Sequence, residues 1–282
     1  MKMRMKIVAG LGLLAAVAAA GTTASRAEDT LEKLKAQGYA TIGIANEPPF
    51  SEVKPDGTLT GAAPDVAKAV MAKLGVPEVR YQIVDYGAMI PGLQAGRFDF
   101  IAAGLYINPK RCESISFSEP DVCGSEAFAV ETGNPLGLKT YEDIAKAGIT
   151  MATCGGCAEY DYAKKAGVSE ANIVVAPDPQ SGLKMLQSGR VKVYALGGPV
   201  IHELLTKAKD PKLEIVNPVL GIPPSCAGAG FRKDDEAFRK AYDEALKELK
   251  GTDAFPPLVD SYGFSSVVAK EATREQLCTA SN

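Results

Sequence analysis

The sequence predicts an α/β protein of two lobes, each a mostly parallel sheet flanked by helices. Three observations carry that prediction. Short apolar runs alternate with segments of helical spacing, the pattern of strands joined by crossover helices. One helix-to-strand unit occurs twice: Leu93-Gln94-Ala95-Gly96-Arg97-Phe98-Asp99-Phe100 resembles Leu186-Gln187-Ser188-Gly189-Arg190-Val191-Lys192-Val193. A passage over 221–231 is apolar and rich in small and turn residues, and a strong amphipathic segment follows it. If that segment returns to the first lobe, the chain crosses between lobes twice.

Each element has a local reason. Residues 39–45 (YATIGIA) form a β-branched, apolar strand. Asn46 to Phe50 is a loop, because Pro48 and Pro49 cannot continue a ladder. Residues 64–74 have helical spacing, with Pro64 in the first turn and Gly75 past the end. Residues 79–84 read as a strand, 88–94 as a short helix closed by Gly96, and 98–103 as a third strand. The second lobe starts near Gly124. Its strands are expected over 148–153, 172–176 and 191–196, and its helices over 158–166, 181–187 and about 200–207. The segment 234–249, ended by Gly251, is the amphipathic helix of the return. The expected division is therefore 28–124 with 227–282 in one lobe and 125–226 in the other, hinged near 123–125 and 225–228.

The first 27 residues read as an address. Lys2, Arg4 and Lys6 precede an apolar run over 7–21, and Ser25 and Ala27 stand at −3 and −1 of a cleavage site. The run is shorter than the ~20 apolar residues of a spanning helix. No cysteine near the site offers a lipid anchor, so a soluble, exported, periplasmic chain is expected. Removing the leader takes four of the 31 basic residues and no acid, which leaves 27 against 34 and a net charge of −7. That balance, with no basic run, argues against nucleic acid as a partner.

All six cysteines fall after the leader: Cys112, Cys123, Cys154, Cys157, Cys226 and Cys278. An even count in an exported chain favours disulfides, and sequence does not choose among the pairings. Cys154-Gly155-Gly156-Cys157 has the spacing of a redox or zinc half-site. Zinc would need two further ligands, and the only histidine is His202. Neither a metal nor a cofactor is expected. His202 reads as an exposed helical side chain, and no Ser/His/Asp pattern surrounds it.

Several stretches, in order along the chain, resemble the periplasmic solute-binding proteins of polar-amino-acid ABC importers. They are Pro48-Pro49-Phe50, Gly61-Ala62-Ala63-Pro64-Asp65, the run from Tyr86 to Arg97, the run from Ala103 to Arg111, Phe117-Ser118-Glu119-Pro120 and Gly133-Asn134-Pro135. The resemblance implies the type II periplasmic binding protein fold, two lobes on two hinge strands that close around one small zwitterionic solute. It also implies a monomer that docks on a membrane permease, and no catalysis. Arg111 matches the arginine that grips a ligand carboxylate, a task suited to the guanidinium fork. Many such proteins carry an acid in the second lobe for the ligand ammonium, where this chain has Gly197. An unpaired buried ammonium would cost several kcal/mol, so Glu47, on the loop leaving the first strand, is the expected acceptor. Phe50, Tyr86 and Tyr106 would wall the site, each cation–π contact contributing roughly 0.5–2 kcal/mol.

This combination is similar to the ectoine and hydroxyectoine binding proteins, whose ligand is a cyclic zwitterion with a delocalised amidinium. Gly156, Cys157, Ala158 and Glu159 would approach the ligand from a helix start in the second lobe, with Ala158 standing where that branch has a threonine. Asn134 is a further candidate, or only a turn cap. Three other readings remain. A betaine-like or cationic amino acid would use the same box. An exported enzyme of this fold would be a dehydratase or a thiol oxidoreductase. A chemoreceptor or sensor kinase would be a partner for the closed form.

Overall fold

The computed structural model describes residues 30–280; the leader expected over 1–27 lies outside the described residues. The first strand, β1 (Tyr39–Ile44), is followed by a small hairpin of β2 (Glu52–Val53) and β3 (Leu59–Thr60), then by β4 (Glu78–Ile83), β5 (Phe100–Ile101) and β6 (Ser116–Phe117). Next come β7 (Val122–Gly124), β8 (Glu126–Glu131), β9 (Met151–Cys154), β10 (Ile173–Ala176), β11 (Val193–Gly197) and β12 (Leu213–Val216). Two short strands, β13 (Ser225–Ala227) and β14 (Gly230–Phe231), close the series.

These strands build two five-stranded sheets, ordered β4-β1-β5-β14-β6 and β10-β9-β11-β8-β12. The βαβ portions are parallel as expected, with β1 between β4 and β5, and β9 between β10 and β11. The remaining pairs are antiparallel. Each sheet is thus mixed, because the strand entered after a crossing, β8 in one sheet and β14 in the other, runs against its neighbours. The chain leaves the first sheet after β6 and returns to it at β14. In between, β7 and β13 pair antiparallel with Cys123 opposite Cys226, and those two cysteines form a disulfide with Cα atoms 4.1 Å apart. The passage read as an apolar crossing is therefore this strand pair.

Helices cover both sheets. The predicted first helix spans Ala62–Lys73, and its partner in the second lobe spans Pro179–Gln187. The helix Glu236–Lys250 turns Phe238 and Tyr242 onto the first sheet, where they meet Phe100 and Phe231 edge-on at 5.1–5.7 Å. All four are fully buried, and each such side chain contributes about 1.5–3 kcal/mol of burial. In the second lobe Phe128 and Tyr141 pack edge-on at 5.0 Å. A second disulfide, Cys112–Cys278, ties the helix Pro109–Ser114 to the C-terminal helix Arg274–Thr279. No helix among the described residues is long and apolar enough to cross a membrane.

Candidate functional site

Arg111 is placed by a cap. Asn108 accepts a hydrogen bond from the Arg111 backbone N–H at 2.9 Å and starts the helix Pro109–Ser114, with Pro109 in its first turn. The side chain turns inward and is 8 % exposed. Its Nη1 donates to the Tyr106 carbonyl at 2.7 Å and its Nη2 to the Gly156 carbonyl at 2.8 Å. One guanidinium therefore bridges the backbone of the first lobe to the Cys154–Cys157 loop of the second. Gly87 and Gly156 close the same rim, since a Cβ on Gly156 would lie 3.0 Å from the Gly87 Cα. The lobes are closed on each other.

Three carboxyl groups are buried at this closure. Glu47 follows Asn46, whose side-chain oxygen accepts from the Val53 N–H. A turn from Glu47 O to Ser51 N holds it on the loop after β1. Glu159 sits in the first turn of the helix Ala158–Lys165, which Cys157 caps. Glu126 opens β8, directly opposite Gly197 on β11. Their exposures are 7 %, 3 % and 1 %. Burial pushes the Glu47 carboxyl from 4.5 up to about 8, and the charge of Glu159 adds to it. Burial first, then Glu159, holds Glu126 well above the ordinary carboxylate range. Glu159 is raised by burial too, with Arg111 pulling against it. Glu126 lies beside Ser225 and Glu159, yet neither of its oxygens closes a well-formed hydrogen bond.

The aromatic candidates divide. Phe50 and Tyr106 are buried and meet edge-on at 5.8 Å. Phe50 fits only because residue 104 is glycine: its φ is +76°, and a Cβ there would fall 2.1 Å from the ring. Both rings face the second sheet, since a Cβ on Gly197 would meet the Tyr106 hydroxyl at 2.6 Å and Phe50 at 3.4 Å. Tyr86 stands on the other side of Arg111, its ring centre 5.6 Å from the guanidinium carbon. Phe264, which the sequence reading did not single out, packs on Phe50 at 4.5 Å.

Nine of the ten predicted residues thus gather at the closure: Glu47, Phe50, Tyr86, Tyr106, Arg111, Gly156, Cys157, Ala158 and Glu159. Asn134 does not. Its amide closes a turn on Leu138 through two bonds of 2.9 and 3.0 Å, past the Glu131 end of β8 and away from Glu126. Cys154 and Cys157 are paired with each other, Cα atoms 5.4 Å apart. His202 is exposed on the helix Gly198–Ala208, where it lines a cleft of about 560 Å³ with Pro48, Ser125 and Tyr262.

Chemically, the closure holds one guanidinium, three carboxyl groups with a proton-retaining bias, and rings beside both. It suits a small solute with a carboxylate at one end and a positive, donating group at the other. The crystal structure of EhuB in complex with hydroxyectoine matches with a TM-score of 0.86 and 51% identity, over 89% of this chain and 98% of that one. An ancestral amino acid-binding protein, a precursor of cyclohexadienyl dehydratase, matches with a TM-score of 0.74 and 25% identity, over 83% and 99%. A probable amino-acid ABC transporter periplasmic-binding protein, y4tE of Sinorhizobium fredii, is 35% identical over 89% of this chain and 86% of its own length. Residues 40–265 match the family of bacterial extracellular solute-binding proteins, family 3, and the chain belongs to that family of binding proteins.

Proposed function

We propose that this chain is the periplasmic solute-binding component of an ABC importer and captures ectoine, hydroxyectoine or a closely related compatible solute. It would be exported by its leader, act as a monomer and deliver the solute to a membrane permease. The lobes would be 28–124 with 227–282, and 125–226, hinged at the β7–β13 pair. The observation that carries the reading is the placement of Arg111 and the acids Glu47 and Glu159 at one buried closure beside Phe50, Tyr86 and Tyr106. The identity to EhuB supports it.

In this reading Arg111 holds the carboxylate, Glu47 takes the ring N–H groups, and the aromatic faces cover the delocalised charge. The solute docks on the first lobe. Closure then brings Gly156 and Glu159 from the second, and expelling water strengthens the ion pairs. Calorimetry of the mature protein with hydroxyectoine is expected to give a dissociation constant near 1 μM, about −8 kcal/mol. Millimolar or absent binding sinks the assignment.

Closure itself has a separate test. Gly197→Ala would put a methyl group against the Tyr106 hydroxyl and Phe50. Solute affinity is expected to fall about tenfold, ~1.4 kcal/mol, while the unfolding midpoint of the solute-free protein hardly moves. Unchanged affinity would mean that these rings do not approach Gly197 in the bound state.

A further inference from the structure

Glu126 is the acid that the role assignments above leave unused. It is the only charged residue in the run Glu126-Ala127-Phe128-Ala129-Val130, otherwise apolar and wholly buried. Its backbone carbonyl is taken by the Val219 N–H, but among the described residues neither buried side-chain oxygen closes a well-formed hydrogen bond, although Glu159 and Ser225 lie alongside. A buried acid without partners destabilises the closed form and is kept only where something occupies its lone pairs.

The strand register says what those lone pairs face. Glu126 and Gly197 are directly opposite in an antiparallel pair, so their side-chain directions lie on one face of the sheet. The direction from Gly197 leads to the Tyr106 hydroxyl and Phe50 of the first lobe. Glycine at 197 lets the Tyr106 hydroxyl and Phe50 close onto that face, and the Glu126 carboxyl beside it lies near Tyr106. The Tyr106 hydroxyl is itself buried and, among the described residues, unpartnered, a second polar group aimed there. Glu159 and Ser225 flank it, and Tyr162 approaches Ser225 at 3.3 Å.

We propose that Glu126 receives the positive end of the solute from the second lobe, and that it selects cations which donate N–H hydrogen bonds over quaternary ammonium. Carboxyl oxygens left without partners are satisfied by an amidinium, guanidinium or primary amine. A trimethylammonium group carries the same charge but has no hydrogen to donate, so it would leave Glu126 and the Tyr106 hydroxyl orphaned in the closed cleft. This inference rests on the proposed function for the identity of the site, but not on one particular solute.

The test is calorimetry of the mature wild-type protein and Glu126→Gln with hydroxyectoine, L-arginine and glycine betaine. Wild type is expected to bind one of the two N–H donors at least 100-fold more tightly than glycine betaine. Glu126→Gln is expected to weaken that donor at least tenfold and to change glycine betaine less than threefold. The variant's unfolding midpoint is expected to hold or rise, since an amide replaces a buried acid; a purely structural glutamate would instead lower it. Should Glu126→Gln fail to fold, the role is refuted, because a ligand-receiving acid contributes nothing to the empty fold. If hydroxyectoine does not bind but L-arginine does and loses tenfold, the solute assignment fails and Glu126 stands. If hydroxyectoine binds equally well to both proteins, the solute assignment stands and Glu126 falls. Tighter binding of glycine betaine, or no binding of any of the three, overturns both.

Discussion

Arg111→Ala is expected to lower solute affinity by at least about 100-fold, or ~3 kcal/mol, with the protein still folded. The magnitude follows from the bonds removed. A guanidinium has five N–H donors in a fixed fork. Two are engaged by the carbonyls of Tyr106 and Gly156 at 2.7 and 2.8 Å, and the rest remain for a carboxylate. Hydrogen bonds to a charged partner contribute roughly 1.5–3 kcal/mol each. Alanine forfeits the bonds to the solute and the bridge between the lobes, and it leaves the carboxylate unpaired. Arg111→Lys separates these effects. An ammonium restores the charge but does not span both carbonyls while holding a carboxylate bidentately, so an intermediate loss is expected. Calorimetry with hydroxyectoine reads both variants. A loss under threefold for Arg111→Ala would place the carboxylate elsewhere.

Much of this arrangement was legible in the sequence, for identifiable reasons. β1 and β4 fell within a residue of their observed bounds because an apolar run in β1 and a period-2 alternation in β4, each bounded by glycine and proline, read as strands. The repeated Gly-Arg turn marked two equivalent βαβ units, and both end in a strand as predicted. Arg111 and Glu47 were legible through their motifs, since a loop after a parallel strand points at the cleft. What was missed depends on pairing across the sequence. The interior strand β8 was not foreseen, because its place between β11 and β12 is set by antiparallel partners 65 to 88 residues away. Glu126 was missed with it, although a lone acid in a buried apolar run, with glycine at 197 where an acid was expected, was a signal already present. Phe264 reaches Phe50 only through the C-terminal return, which local periodicity does not reveal. For Asn134 the sequence left two roles open, a ligand contact or a turn cap, and its amide bonds the backbone of Leu138 as a turn cap does.

Closure of the solute-free protein is expected to depend on pH, with the unusual sign. In an open cleft each acid is hydrated and titrates near its ordinary 4.5. In the closed form burial raises Glu47 to about 8, and Glu126 and Glu159 move in the same direction. The closed form therefore binds more protons than the open one across that window, and it is favoured on the acid side. As pH rises from 4.5 through about 8, the closed, empty state loses stability; for Glu47 alone the gap corresponds to roughly 5 kcal/mol. Arg111 pulls against the rise at Glu159, and Tyr86, Tyr106 and Tyr162 are kept neutral by burial. Small-angle scattering of the empty protein is expected to show a larger radius of gyration at pH 8 than at pH 5. Glu47→Gln is expected to flatten that rise, and His202→Gln, outside the closure, to leave it unchanged. A solute that brings its own positive charge substitutes for the lost protons, so saturating hydroxyectoine is expected to hold the protein compact at both values. An empty protein with the same radius at pH 5 and pH 8 would mean that the three acids do not govern the opening. The same charge balance explains why an acid-rich closure suits capture near neutral pH: the empty cleft is biased open, and only a cation that fits it closes it.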